Sequence, residues 1–139
     1  MVKNNFMTKS KFNGGQLSLI EDNIIYIQFD DELIVEKSHI DNLRISRIEL
    51  IGSVKKFHAI IDLTNEVKLS LDAKSYIAHT EVDVRICDVI ITNTNKHDIE
   101  AYLYKKFERP KNQVVFKKNL EEAITCIKDF EDNFQKKTE

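Results

Sequence analysis

The chain has 139 residues, enough for one domain and too few for two ordinary ones. Its 42% hydrophobic and 32% charged content excludes a disordered segment. A formal net charge of −2, from 21 basic and 23 acidic side chains, gives no global field that would draw in nucleic acid or an anionic membrane.

In chain order, residues 1–16 are polar and basic and close on Gly14-Gly15, so a flexible N-terminal tail is expected there. The opening MVKNNFMTKSKFNGG lacks the apolar core of a secretory signal, and no run of about 18 apolar residues follows that could span a membrane. A cytoplasmic location is the expectation. QLSLI and IIYIQF flank Glu21-Asp22-Asn23 and predict a β-hairpin, because Asp and Asn tolerate the positive φ of a tight turn.

From Ser38 to Ile51 the apolar period becomes helical. Ile40, Leu43, Ile48 and Ile51 fall on one side, while Asp41, Arg44, Arg47 and Glu49 face elsewhere. Ser38 is the expected N-cap and Gly52 the expected end. HAIIDL then has the length and apolarity of a strand, and the spacing of Ala73, Tyr76, Ile77 and Thr80 predicts a helix opening after Ser70.

A third unit repeats the theme. CDVIIT reads as a strand, and Ile99, Tyr102, Leu103 and Phe107 recur at helical spacing until Pro110, before which helical geometry is disfavoured. QVVF is a short strand. Asn119 caps a final helix with Leu120, Ala123, Ile124, Ile127, Phe130 and Phe134 on one face. Residues 135–139 are expected as a C-terminal tail.

The order ββαβαβαβα predicts an α/β fold: one domain over residues 17–134, with a mixed, mostly parallel five-stranded sheet, an N-terminal hairpin and about four helices. Cys87 and Cys126 lie in apolar contexts, RICDVII and EEAITCIKDF, and read as buried reduced thiols. None of the four histidines pairs at metal-ligand spacing within a helix, and no zinc framework occurs, so neither metal nor cofactor is expected. No nucleophile elbow, P-loop or dinucleotide glycine fingerprint is present, and no enzyme is expected.

The segments FHAIIDLTNEVKLSLDAKSYIA and CDVIITNTNKHDIEAYLYKKFERPKNQVVFKKNLEEAITCI carry a recognisable look. An apolar strand ends in Asp-Leu, and a Ser-led helix has an aromatic near its middle. A strand then ends in polar residues, and after a helix an N-x-x-V-F strand and a Leu-Glu-Glu-Ala helix start follow. In this, residues 17–134 resemble the STAS/SEC14-like (SpoIIAA-like) domains, in the branch of small stand-alone bacterial proteins. The resemblance implies that fold and a regulatory, protein-binding role. In the antagonist members a serine opening the corresponding helix is phosphorylated by a partner kinase, within a D-S-S-G-L-G type loop. Ser70 occupies that place, but its context VKLSLDAKS lacks both glycines and the neighbouring serine. Ser70 thus has two readings, helix cap and phosphosite, and the cap is the simpler.

Ligands of open α/β sheets sit beyond the carboxyl ends of the parallel strands. That rule singles out Asp62, Thr64, Asn65 and Lys68 after one strand and Thr92, Asn93, Thr94 and Asn95 after the next, as a surface for a ligand or partner. Lys105, Lys106, Arg109 and Lys111 form a candidate basic patch for an acidic partner, a lipid head group or nucleic acid, though the net charge lends a polyanion no support. The expected partner is another protein, bound around residues 64–80. The alternative, from the SEC14 side of the resemblance, is a small anionic or lipid-like ligand. No nucleic-acid partner is expected, and a homodimer through a sheet edge or a helix face stays open.

Overall fold

The computed structural model describes residues 8–92 and 112–138. Three strands open it: β1 (Thr8–Phe12), β2 (Gly15–Ile20) and β3 (Ile24–Phe29), each antiparallel to the next. The predicted hairpin is β2–β3, and its positive φ falls on Glu21, at 59°, ahead of Asp22-Asn23. The short strand β4 (Ile34–Val35) and helix α1 (Lys37–Ile51) follow, then β5 (Phe57–Asp62) and the short β6 (Lys68–Leu69). Helix α2 (Leu71–His79), β7 (Arg85–Ile91), β8 (Gln113–Lys117) and α3 (Leu120–Thr138) complete the described chain.

The main sheet has six strands in the order β1-β2-β3-β5-β7-β8. Strands β3, β5, β7 and β8 run parallel, so the sheet is mixed and mostly parallel, an α/β architecture. A separate two-stranded parallel ladder joins β4 to β6.

Side chains alternate along a strand, and here both faces are apolar. Ile25, Ile27 and Phe29 of β3 and Phe57, Ala59 and Ile61 of β5 join one core with Ile40 of α1 and Ala73 and Ile77 of α2. The residues between them, Ile24, Tyr26 and Ile60, join a second core with Ala123 and Ile127 of α3. Helices α1 and α2 therefore cover one face and α3 the other.

Four expectations need correction. The sixth strand is β1, which lies in the stretch expected as a tail. Gly14, at φ 119°, turns the chain back, Phe12 packs edge-on against Phe29 at 6.0 Å, and Ser46 Oγ on α1 donates to the Lys11 carbonyl at 3.2 Å. Helix α1 starts two residues early: Glu36 is its N-cap, and the Glu36 N–H donates to His39 Nδ1 at 2.9 Å, so Ser38 lies inside the helix. Gly52 ends it as expected, at φ 89° with its N–H on the Ile48 carbonyl. Arg47 does not face solvent; it is 1% exposed. Helix α3 continues to Thr138, past the expected boundary at residue 134. The helix expected around Ile99–Phe107 lies outside the described residues, and three helices are described.

No helix among the described residues is long and apolar enough to cross a membrane. Both cysteines are free, Cys87 buried and Cys126 half-buried. Burial, with smaller contributions from Asp88 and Cys126, pushes the Cys87 thiol up to about 12. Ellman's reagent at mildly alkaline pH should therefore modify Cys126 in the native protein and reach Cys87 only on unfolding. Equal reaction of both native thiols would contradict that burial.

Candidate functional site

The carboxyl ends of β3 and β5 meet at Asp62. Its Oδ2 accepts from the Tyr26 hydroxyl at 2.6 Å. Its Oδ1 accepts from the Thr64 N–H at 2.9 Å and the Thr64 hydroxyl at 2.6 Å, an Asx turn that folds the loop back. Burial and the hydrogen bond to Asp62 both raise the Tyr26 phenol, so it stays protonated. Asp62 pairs with Gln28 across β5–β3, Gln28 with Gln16, and Gln16 with Lys11, placing a polar row across four strands. An open groove of about 590 Å³ adjoins that row, lined by Lys11, Gln16, Gln28, Asp30, Asp31 and Asn65.

Above β3 and β5 the β4–β6 ladder ties two loops together. The Glu32 N–H donates to the Asn65 carbonyl at 2.8 Å, the Lys68 N–H to Leu33 at 3.0 Å, and the Ser70 N–H to Val35 at 3.0 Å. Val35 is buried, whereas its neighbour Ile34 is 55% exposed beside Lys68. Leu71, which opens α2, is 76% exposed. Ser70 is the N-cap of α2, with its Oγ accepting from the Ala73 N–H at 3.1 Å. Ser70→Ala should cost about 1 kcal/mol and Ser70→Gly a few tenths. Chemical denaturation reads both, and equal losses would remove the cap role.

The expected site residues thus divide. Asp62, Thr64, Asn65, Lys68 and Ser70 come together at one end of the sheet. Thr92 is buried, and its Oγ1 has no hydrogen-bond partner among the described residues. Asn93, Thr94 and Asn95 lie outside the described residues, as do Lys105, Lys106, Arg109 and Lys111.

Two charged clusters not expected from sequence lie inside the fold. A register shift between Phe57 and Ala59 sets Arg85 opposite Phe57 and Asp88 opposite Ala59. The extra residue on β7 turns both side chains to the α1–α2 face. Arg85 Nε donates to Asp88 Oδ1 at 2.7 Å, and its two Nη atoms donate to the Thr80 and Ile77 carbonyls at 2.9 and 2.5 Å, at the end of α2. Burial pushes the Asp88 carboxyl up, while Arg85 pulls it down; the net direction is up. Nearby, Glu81 bridges Arg47 and Arg44 between α1 and α2, and the Arg47 guanidinium lies 4.9 Å from the centre of the Phe57 ring. The small, partly open cavity there, lined by Ile27, Phe57, Ala59, Ile77, Arg47 and Arg85, measures about 40 Å³.

On the α3 face, His58 is fully buried, with Nε2 2.8 Å from Glu131 Oε2. Asn23 Nδ2 donates to the same oxygen at 2.9 Å. Burial lifts the Glu131 carboxyl, but the bonds from Asn23 and His58 outweigh it and hold it below the ordinary value of 4.5. Glu131 therefore stabilises the fold above pH 4.5 and loses that contribution as pH falls through its folded value. Glu131→Gln should flatten the acid limb of stability against pH; an unchanged limb would exclude the contribution.

Each of these charged groups has at least one partner among the described residues, and Arg44, Arg47, Glu81 and Arg85 also line the cavity under α1 and α2. Among the described residues no group of three or more His, Cys, Asp or Glu is placed to hold a metal ion. No family model matches the chain, and neither a curated protein nor a solved structure matches it.

Proposed function

We propose that the chain is a non-catalytic regulatory module of the STAS/SpoIIAA-like type, cytoplasmic, which binds another protein through the surface made by β4, β6 and the start of α2. The observation that carries this reading is the pair Leu71 and Ile34, 76% and 55% exposed, on the same end of the fold as Ser70. Exposed aliphatic side chains rimmed by polar residues are a feature of docking surfaces. The loops that present them are tied by the β4–β6 ladder, so docking needs little ordering.

The ligand-carrier alternative is supported less well. A small-molecule site normally offers a concave volume of about 300–1,000 Å³ that covers most of its ligand. The cavity under α1 and α2 is about 40 Å³, space for a few waters. The 590 Å³ groove is open and polar, unsuited to a lipid tail.

Native mass spectrometry of protein taken from its own cells tests the choice. The module should give its bare mass, and covalent capture should retain a partner that Leu71→Ser releases. A reproducible extra mass lost on denaturation would replace the module with a ligand carrier.

A further inference from the structure

Resting on that reading, we infer that the partner presents a basic segment with an aliphatic anchor. The exposed side chains in the segments that carry Ile34 and Leu71 include Asp30, Asp31, Glu32, Glu36, Glu66 and Asp72. Over residues 30–37 and 65–72 these six carboxylates face only Lys37 and Lys68, a formal −4. The whole chain carries −2, so the rest of the sequence sums to +2 and these two segments concentrate negative charge that the chain as a whole lacks. None of the six carboxylates is joined to a cation in a described ion pair; those formed by Asp and Glu elsewhere use Glu81, Asp22, Glu131, Asp88 and Glu21.

Two exposed aliphatic side chains in segments this acidic define a partner by chemistry. The anchor must be apolar, because Leu71 and Ile34 offer no hydrogen bond. Its flanks must be Lys or Arg, because an acidic or neutral segment would leave the carboxylates uncompensated at close range. The resulting complex gains on-rate and selectivity from the charges and residence time from the anchor.

A random-peptide display library panned against the purified full chain tests this without knowing the partner. Enriched peptides should combine Lys or Arg with Leu, Ile, Val or an aromatic residue, and their binding should weaken as salt is raised. Leu71→Ser and Ile34→Ser should each weaken a selected peptide about tenfold or more. Val54→Ser serves as control, since Val54 is 84% exposed beyond the other end of α1, and it should leave binding unchanged. Selected peptides that are acidic, or that ignore both substitutions, would overturn the basic-partner inference and leave the binding module standing. A concentration-dependent dimer abolished by Leu71→Ser would also overturn it, by assigning the face to a second copy. A library that yields no binder would bring down the inference and the module together.

Discussion

Arg85→Met should destabilise the fold by about 3–5 kcal/mol, the cost of stranding one partner of a buried ion pair. Asp88 is fully buried on β7, its Oδ2 already without a hydrogen-bond partner, and Arg85 is its neutralising cation. The loss goes further than the carboxylate, because the guanidinium also holds the Thr80 and Ile77 carbonyls where α2 ends. The effect has a pH signature. Burial already raises the Asp88 carboxyl above its ordinary 3.8, so its contribution to stability falls as pH rises through the folded value. Without Arg85 that value rises further, and the variant should recover stability on acidification relative to the native chain. Asp88→Leu added to Arg85→Met should restore most of the loss, since a buried pair exchanged for apolar side chains is often neutral. Urea denaturation of both variants at two pH values decides the matter. A single variant within about 1 kcal/mol of the native chain would show that Asp88 folds neutral regardless of Arg85.

Gly15→Ala should be nearly as damaging. A Cβ built at Gly15 would lie 2.2 Å from the Gln28 carbonyl oxygen and 2.8 Å from the Phe29 Cα, both backbone atoms of β3. No rotamer relieves such a contact; only separation of β2 from β3 does. Overpacking costs typically 1–3 kcal/mol and more where the obstacle is backbone, so about 3 kcal/mol is expected. The damage should be local. Amide hydrogen exchange should rise first along Gly15–Ile20 and the β1 strand that pairs only with it, before β5 and β7 respond. Gly52 is the contrast: a Cβ there meets nothing within 4 Å, and only its φ of 89° opposes substitution. Equal exchange profiles for Gly15→Ala and Gly52→Ala would refute the steric account.

Much of the framework is legible in the residues because it is encoded locally. The IIYIQF and HAIID strands, the Ser70 cap, the Asn119 cap and the Gly52 stop all rest on a few neighbouring residues. Asn119 Oδ1 accepts the Glu122 N–H at 2.9 Å, as a cap should. What escaped has non-local causes. Strand β1 is made by Phe12 finding Phe29 and Ser46 reaching Lys11, neither visible in a polar heptad. Strands β4 and β6 are two residues each, too short to show a period. Arg47 sits among apolar neighbours because Glu81, the Gly52 carbonyl and Phe57 receive it, and those partners converge only in the fold. Arg85 and Asp88 stand three apart, a spacing that in a regular strand points to opposite faces; the bulge reverses that parity. At the candidate site, Asp62 and Ser70 follow from strand and helix ends, whereas Tyr26 and Ile34 join them only across strands. The exposure of Leu71 is the most telling of these, because its place beside the Ser70 cap does not say whether it faces the core or solvent.

The order of strands across the sheet, β1-β2-β3-β5-β7-β8, is also their order along the chain. Each strand is therefore laid against one that has already left the ribosome, and no strand must be inserted between two that have already paired. Sheet assembly can keep pace with synthesis from the amino end, each step joining a strand to the main-sheet strand that precedes it in the chain. The α3 face is different. Among the described residues, Ile60, Cys87 and Val89 are covered by Ala123 and Ile127, and the bond from Asn23 to Glu131 closes a span of 108 residues. A nascent chain stalled before α3 would lack the described helix that covers this apolar face, and that intermediate is where chaperone demand and aggregation during synthesis would concentrate.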